Sequence, residues 1–272
     1  MESQIFERLN TTYAPLVSQF VKSLKKSKEH YSGCPNIFFP TCGKYYTSSK
    51  YKIAFVGWET RDTDDLLGQL HAYDKGIENL LFNYKYTSRN FIETLSYVQE
   101  CNNSGKTFWD FNLRFLGAFY RLNNWKELKG DSNNEYDVIL KSFAWGNCDS
   151  IERYEMCAGD IDWEDWNEVK QASHIFDDAK HFIHTFRPNV LIVTQFAETR
   201  GGYSWLSRSI DFVPHKLADY TEYGFLKDSN THVFWTYHPT YLRKVGADFD
   251  KIIRSMVDKL SDLGISVEAT TT

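Results

Sequence analysis

Four short apolar runs in this sequence end on side chains able to handle a proton, a hydrogen bond or a flat ligand. "KIAFVG" leads to Gly57, Trp58 and Glu59, and "YDVILKSFAWGN" closes on Trp145, Gly146 and Asn147. "VLIVTQ" closes on Gln195, and "HVFWTYHP" on His238 and Pro239, with Thr240 next. A carboxylate such as Glu59 can orient or deprotonate water and stabilise a cationic centre. A neutral imidazole such as His238 can donate one hydrogen bond to a developing anion without losing a proton. The Asn147 amide offers a donor and an acceptor to a polar edge. Trp58 and Trp145 are flat plates on which a ring can stack or between which it can be sandwiched. Each residue also has an ordinary use: a solvated acid beside Asp62, Asp64 and Asp65, a capping histidine before proline, a turn asparagine after glycine, and core tryptophans. The readings part on whether the chain brings these run ends together.

The runs read as strands, with helical patterns between them. Ile5 to His30, the stretch near Gly76 to Cys101, and Ser104 to Asn124 carry apolar residues at helical spacing. A long helix starting at Trp166 is stopped by Pro188, and a closing helix runs from about Asp248 to Leu263. Strands alternating with helices predict a three-layer α/β/α sandwich with a short, mostly parallel central sheet. Residues 1–272 are expected to form a single domain, with 1–50 as a helical and loop extension packed on it. In such sheets ligands bind beyond the carboxyl ends of the strands. Glu59, Asn147, Gln195 and His238 are therefore expected on one edge, accompanied by Trp58 and Trp145.

Composition narrows the function classes. The chain has 272 residues and a net charge of -5, so no global positive field draws it to nucleic acid or anionic membrane, although a local basic patch is compatible with that total. Aromatics make up 17%, enough for a thick core and for stacking on flat ligands. No apolar run approaches the ~18 residues of a membrane span. The first residues lack the layout of a secretory leader. Five cysteines, an odd number without a CxxC pair, argue against a disulfide framework and for a cytoplasmic location. Cys34, Cys42, Cys148 and Cys157 match no standard spacing for a metal or iron–sulfur centre. His174, His181 and His184 share a helix, where surface or packing roles are favoured over a metal. No cofactor is expected, and there is no P-loop, G-x-G-x-x-G or G-x-S-x-G.

The order strand-Gly57-x-Glu59, strand-Asn147, helix-Pro188-strand and strand-"HPTYLR" resembles the uracil-DNA glycosylase superfamily over roughly Lys52 to Arg243. "YHPTYLRK" carries the most specific part of the likeness, and "VGWET" a moderately specific part. The resemblance implies an enzyme that extrudes a base from DNA and hydrolyses its N-glycosidic bond, leaving an abasic site, with no cofactor and no obligatory protein partner. It implies Glu59 near the sugar, His238 at a base carbonyl oxygen and Asn147 on the base edge, with Gly57, Trp58, Arg61 and Trp145 around the base. It further implies Tyr241 and Leu242 as the wedge that enters the vacated stack, with Thr240, Arg243 and Lys244 on phosphate and Gln195 on DNA.

The sequence departs from the family pattern at three places. Trp58 stands where a glutamine is frequent, Thr60 where proline is common, and Arg61 where a tyrosine blocks substituents at C5 of a pyrimidine. An arginine need not close that side, and its donors suit hydroxyl groups. The expected target is therefore a hydroxymethylated or glycosylated cytosine of the kind found in phage DNA, with plain uracil in repair as the alternative. A third reading, from another class, is a protein that binds DNA or modified bases without cutting. Retention of both Glu59 and His238 favours an enzyme.

Overall fold

The computed structural model describes residues 5, 7–9, 11–13, 15–16, 19, 40–59, 104–129, 134–149, 178–195 and 204–267. Its strands are Thr41–Cys42 (β1), Ile53–Glu59 (β2), Phe143–Asp149 (β3), Val190–Gln195 (β4), His215–Ala218 (β5), Thr221–Leu226 (β6) and Thr231–Tyr237 (β7). They form a seven-stranded sheet in the order β1-β3-β2-β4-β7-β6-β5. The four central strands are mutually parallel. β1 on one flank and β6 on the other run antiparallel to them, and β5 pairs antiparallel with β6 at the far edge. The α/β class expected from the sequence holds, but the sheet is mixed and wider than four parallel strands. β5 and β6 escape a search for apolar runs because β5 is a polar edge strand and β6 mixes polar with apolar residues; a turn in which Tyr220 has φ 63° joins them.

The described helices are Ser104–Phe119 (α1), Asn134–Leu140 (α2), Ala179–Phe186 (α3), Ser204–Ser207 (α4), Pro239–Lys244 (α5) and Phe249–Asp262 (α6). α2 corrects an expectation, since the run from Tyr136 reads as part of a strand. Tyr136, Ile139 and Leu140 instead sit at helical spacing against the core, and the strand begins only at Phe143. α3 is capped by the Asp178 side chain and ends at Arg187, whose φ is 49°, with Pro188 next, as the proline signal predicts. α6 starts on the Asp248 cap and buries Ile252, Ile253, Met256 and Leu260.

Strand alternation sorts the core into two layers. Ile53, Phe55, Phe143, Val190, Ile192 and Phe234 pack against α1, α2, α5 and α6. Ala54, Val56, Ala144, Leu191, Val193 and Val233 pack against α3, α4 and the N-terminal Ile5, Leu9 and Tyr13. In this second layer Tyr46 is fully buried and donates its hydroxyl to Phe186 O at 3.1 Å. Burial holds its phenol well above the ordinary tyrosine range.

α1 positions the candidate site. It runs antiparallel to β2: Phe119 meets Tyr51 edge-on at 5.9 Å, and Phe115 meets Phe55 at 6.1 Å. Phe108 reaches Gly57, near the carboxyl end of the strand. The first turns of α1 therefore lie over the strand tips.

Candidate active site

Gly57 and Asn147 are direct partners across the parallel β2–β3 pair. A Cβ on residue 57 would stand 2.7 Å from Asn147 Oδ1 and 3.3 Å from a ring carbon of Phe108. Glycine is thus required for close approach: its bare Cα lets the Asn147 amide and the Phe108 ring share one small space. Asn147 is only 6% exposed. An amide buried at a strand tip, next to an aromatic face, can read the donor and acceptor edge of a flat ring.

His238 follows β7, and its backbone N–H donates to Gln195 O at 2.9 Å, which ties the tips of β7 and β4 together. Its side chain caps α5: Nδ1 accepts from Thr240 N–H at 3.3 Å. An Nδ1 that accepts must carry its lone pair, so the ring proton sits on Nε2. The capping reading of this histidine is observed, and the cap fixes the tautomer in which Nε2 is a donor. The imidazole lies nearly parallel to the Phe108 ring, 13° between planes and 6.1 Å between centroids.

The rings of α1 complete the arrangement. Phe108 meets Trp109 edge-on at 5.0 Å, and Trp109 meets Trp145 edge-on at 5.0 Å. An aromatic row thus runs from Trp145 on β3 to His238 after β7, across the tips of the parallel core. Phe108 and Trp109 escape the sequence reading because they sit in a helix that is apolar nearly all round, where ring after ring reads as core. Asp149 also escapes it. The run was expected to end at Asn147, but β3 continues to Asp149, whose register partner is Glu59 at the end of β2. Two acids thus occupy neighbouring strand tips.

Several expected site residues need correction. β2 continues past Gly57 to Glu59. Alternation groups Trp58 with Ala54 and Val56 on the α3 side, while Trp145 lies with Phe143 on the α1 side, so the two tryptophans do not sandwich one ligand. Gln195 shares the face of Leu191 and Val193 and is 2% exposed, buried away from any DNA strand. Leu242, expected as a wedge, is 0% exposed and packs in the core beneath α1 and α6. The backbone N–H of Thr240 is engaged by His238 Nδ1, which leaves its exposed hydroxyl for a phosphate. Tyr241 is half-buried, with its ring 5.1 Å from that of Tyr237. Arg243 and Lys244 are exposed on α5, and Arg243 Nη1 donates to Thr107 Oγ1 at 2.9 Å, fastening α5 to α1. The Glu59 side chain and all of Arg61 lie outside the described residues.

Among the described residues no group of three or more His, Cys, Asp or Glu side chains is arranged to hold a metal ion. His181 packs edge-on against Tyr13 at 6.5 Å, and burial lowers its pKa, while His184 is exposed. Cys34, Cys101, Cys157 and His174 lie outside the described residues. No described helix is long and apolar enough to cross a membrane. No protein-family model and no curated protein matches the chain.

Proposed function

We propose that this chain is a monofunctional DNA glycosylase that extrudes a modified pyrimidine and hydrolyses its N-glycosidic bond. The observation that carries the reading is the Asn147 amide set over the bare Cα of Gly57, beside Phe108 and a His238 whose Nε2 is the donor. A flat base stacked on an aromatic face needs an amide on its edge and a donor at its carbonyl oxygen.

The proposed reaction uses those positions as follows. Water oxygen bonds to the sugar C1′, and the C1′–N bond breaks with its electron pair leaving on the base. Glu59, at the tip of β2, takes up the water proton and offsets the positive charge on the sugar. The Nε2–H of His238 and the Asn147 amide offset the negative charge on the departing base, which solvent protonates. Arg243, Lys244 and the Thr240 hydroxyl suit phosphate contacts. The half-exposed Tyr241 takes the wedge role alone. No cofactor and no protein partner is required.

Arg61 favours a bulky C5 substituent over plain uracil, so we place the substrate among hydroxymethylated or glycosylated cytosines of phage DNA and the role in phage defence. The test is release of free base from oligonucleotides that differ only at C5, followed by alkali to break abasic sites. Release of the bulky bases, reduced on the order of a hundredfold in Glu59→Gln with DNA affinity kept, supports the proposal. Release of uracil alone would make this a repair enzyme. Mobility shifts without alkali-labile sites would make it a binding protein.

A further inference from the structure

We infer that Asn112, on the sheet-facing side of α1, is a specificity-determining residue that hydrogen-bonds the innermost polar group of the ligand held at Gly57, Asn147 and His238. The inference rests on the base-binding reading of that site. Asn112 is 0% exposed, and among the described residues neither Oδ1 nor Nδ2 has a hydrogen-bond partner. A buried amide with both ends unsatisfied works against folding, and a leucine, with the same number of side-chain heavy atoms though more bulk, would occupy the position without that penalty.

Its place in the fold gives the amide a use. Asn112 lies one turn beyond Phe108 on the face of α1 that also carries Phe115 and Phe119. Phe108 touches the Gly57 space and stacks on His238, while Phe115 meets Phe55. Asn112 therefore lies at a depth between Phe55 and Gly57, directly below the site. Thr194, a buried polar residue of the central strands, directs its hydroxyl to Val56 O at 3.2 Å. One helical turn is about 5.4 Å, close to the span of a pyrimidine with one substituent. A primary amide both donates and accepts, so its partner is a group that does the same: the imide edge of a pyrimidine or a hydroxyl on its substituent.

The experiment uses Asn112→Leu, with Asn112→Ala carrying the same comparison if the leucine variant does not fold. Melting is measured without ligand. Affinity is measured with oligonucleotides carrying uracil, cytosine or 5-hydroxymethylcytosine at one unpaired position. The leucine variant is expected to melt about 3 °C or more higher, since it removes an unsatisfied buried amide. Its affinity for the preferred base is expected to fall on the order of tenfold, with discrimination among the three narrowed. Loss greatest on uracil identifies the imide edge, and loss greatest on 5-hydroxymethylcytosine identifies the hydroxyl. Unchanged affinity and discrimination overturn the inference, as does an equal loss on all three accompanied by a lower melting temperature. A parent protein that binds with discrimination but releases no base sinks the glycosylase reading and leaves this one standing. A parent that releases base while the variants bind as it does sinks this one alone.

Discussion

Gly57→Ala should separate the site from the fold. The added methyl group would lie 2.7 Å from Asn147 Oδ1 and 3.3 Å from Phe108. The first neighbour is the end of a side chain with two free torsions, so it can swing aside, and the second need give only a few tenths of an ångström. Overpacking of this kind costs about 1–3 kcal/mol. Against it stands a gain of about 0.5–1 kcal/mol, because alanine loses less backbone entropy than glycine in a strand. Net destabilisation should therefore stay within about 2.5 kcal/mol. Function should suffer more. If the displaced amide loses a two-point contact worth about 1–3 kcal/mol, activity falls roughly 5- to 150-fold. The assay is single-turnover base release beside a urea unfolding curve. Asn147→Ala should match the loss, and the double variant should add little, since both changes remove one interaction. Parental activity in Gly57→Ala, or losses that multiply in the double variant, would refute the coupling.

Three further outcomes follow from the same geometry. His238→Ala should slow base release more than it weakens DNA binding, because its hydrogen bond strengthens as the base gains charge; an unchanged single-turnover rate removes it from the mechanism. Leu242→Ala should cost about 2–5 kcal/mol of stability and slow paired and unpaired targets alike, whereas a selective loss on paired targets would restore it as a wedge. His232 and His181 both have folded pKa values lowered, in each case chiefly by burial, with the Lys259 charge adding to the effect at His232. The unfolded chain therefore takes up more protons as pH drops through about 6.5, so the stability these residues contribute is present above that value and declines below it. Urea midpoints near about pH 7.5 and about pH 5.5 should show the decline, smaller in His232→Phe, and an identical slope in that variant would exclude His232 as a source.

How much of this was legible in the sequence depends on which question is asked. The strand tips were readable because β4 and β2 each open on four apolar residues, Val190 to Val193 and Ile53 to Val56, as strands covered on both faces do. Pro188, Asp248 and His238-Pro239 marked boundaries through local chemistry that needs no tertiary partner. Which side of the sheet each tip residue serves was not readable. Side-chain direction has a period of two, so a face is assigned only once a register partner is fixed. Gly57 pairs with Asn147, and that register sets Trp145, Asn147 and Phe55 toward α1. The same register gives the other face Val56, Ala144 and Cys148. Trp58 and Gln195 end on that other face through one residue of parity each, although they look equivalent to Trp145 and Asn147 in the sequence.

The same physics explains why α1 was read as core alone. Phe108, Asn112, Phe115 and Phe119 form one stripe, and helical periodicity treats them alike. Their depth along β2 is what divides them. Phe115 and Phe119 lie against Phe55 and Tyr51, where the strand is closed over on both sides. Phe108 lies against Gly57, where the Cβ is missing and the next rung carries two acids. A helix antiparallel to a central strand thus changes from packing element to site wall within two turns, with no change in its sequence pattern. Asn112 stands at that change: the sequence shows one polar residue in the stripe, and the structure shows that its buried amide is unsatisfied among the described residues.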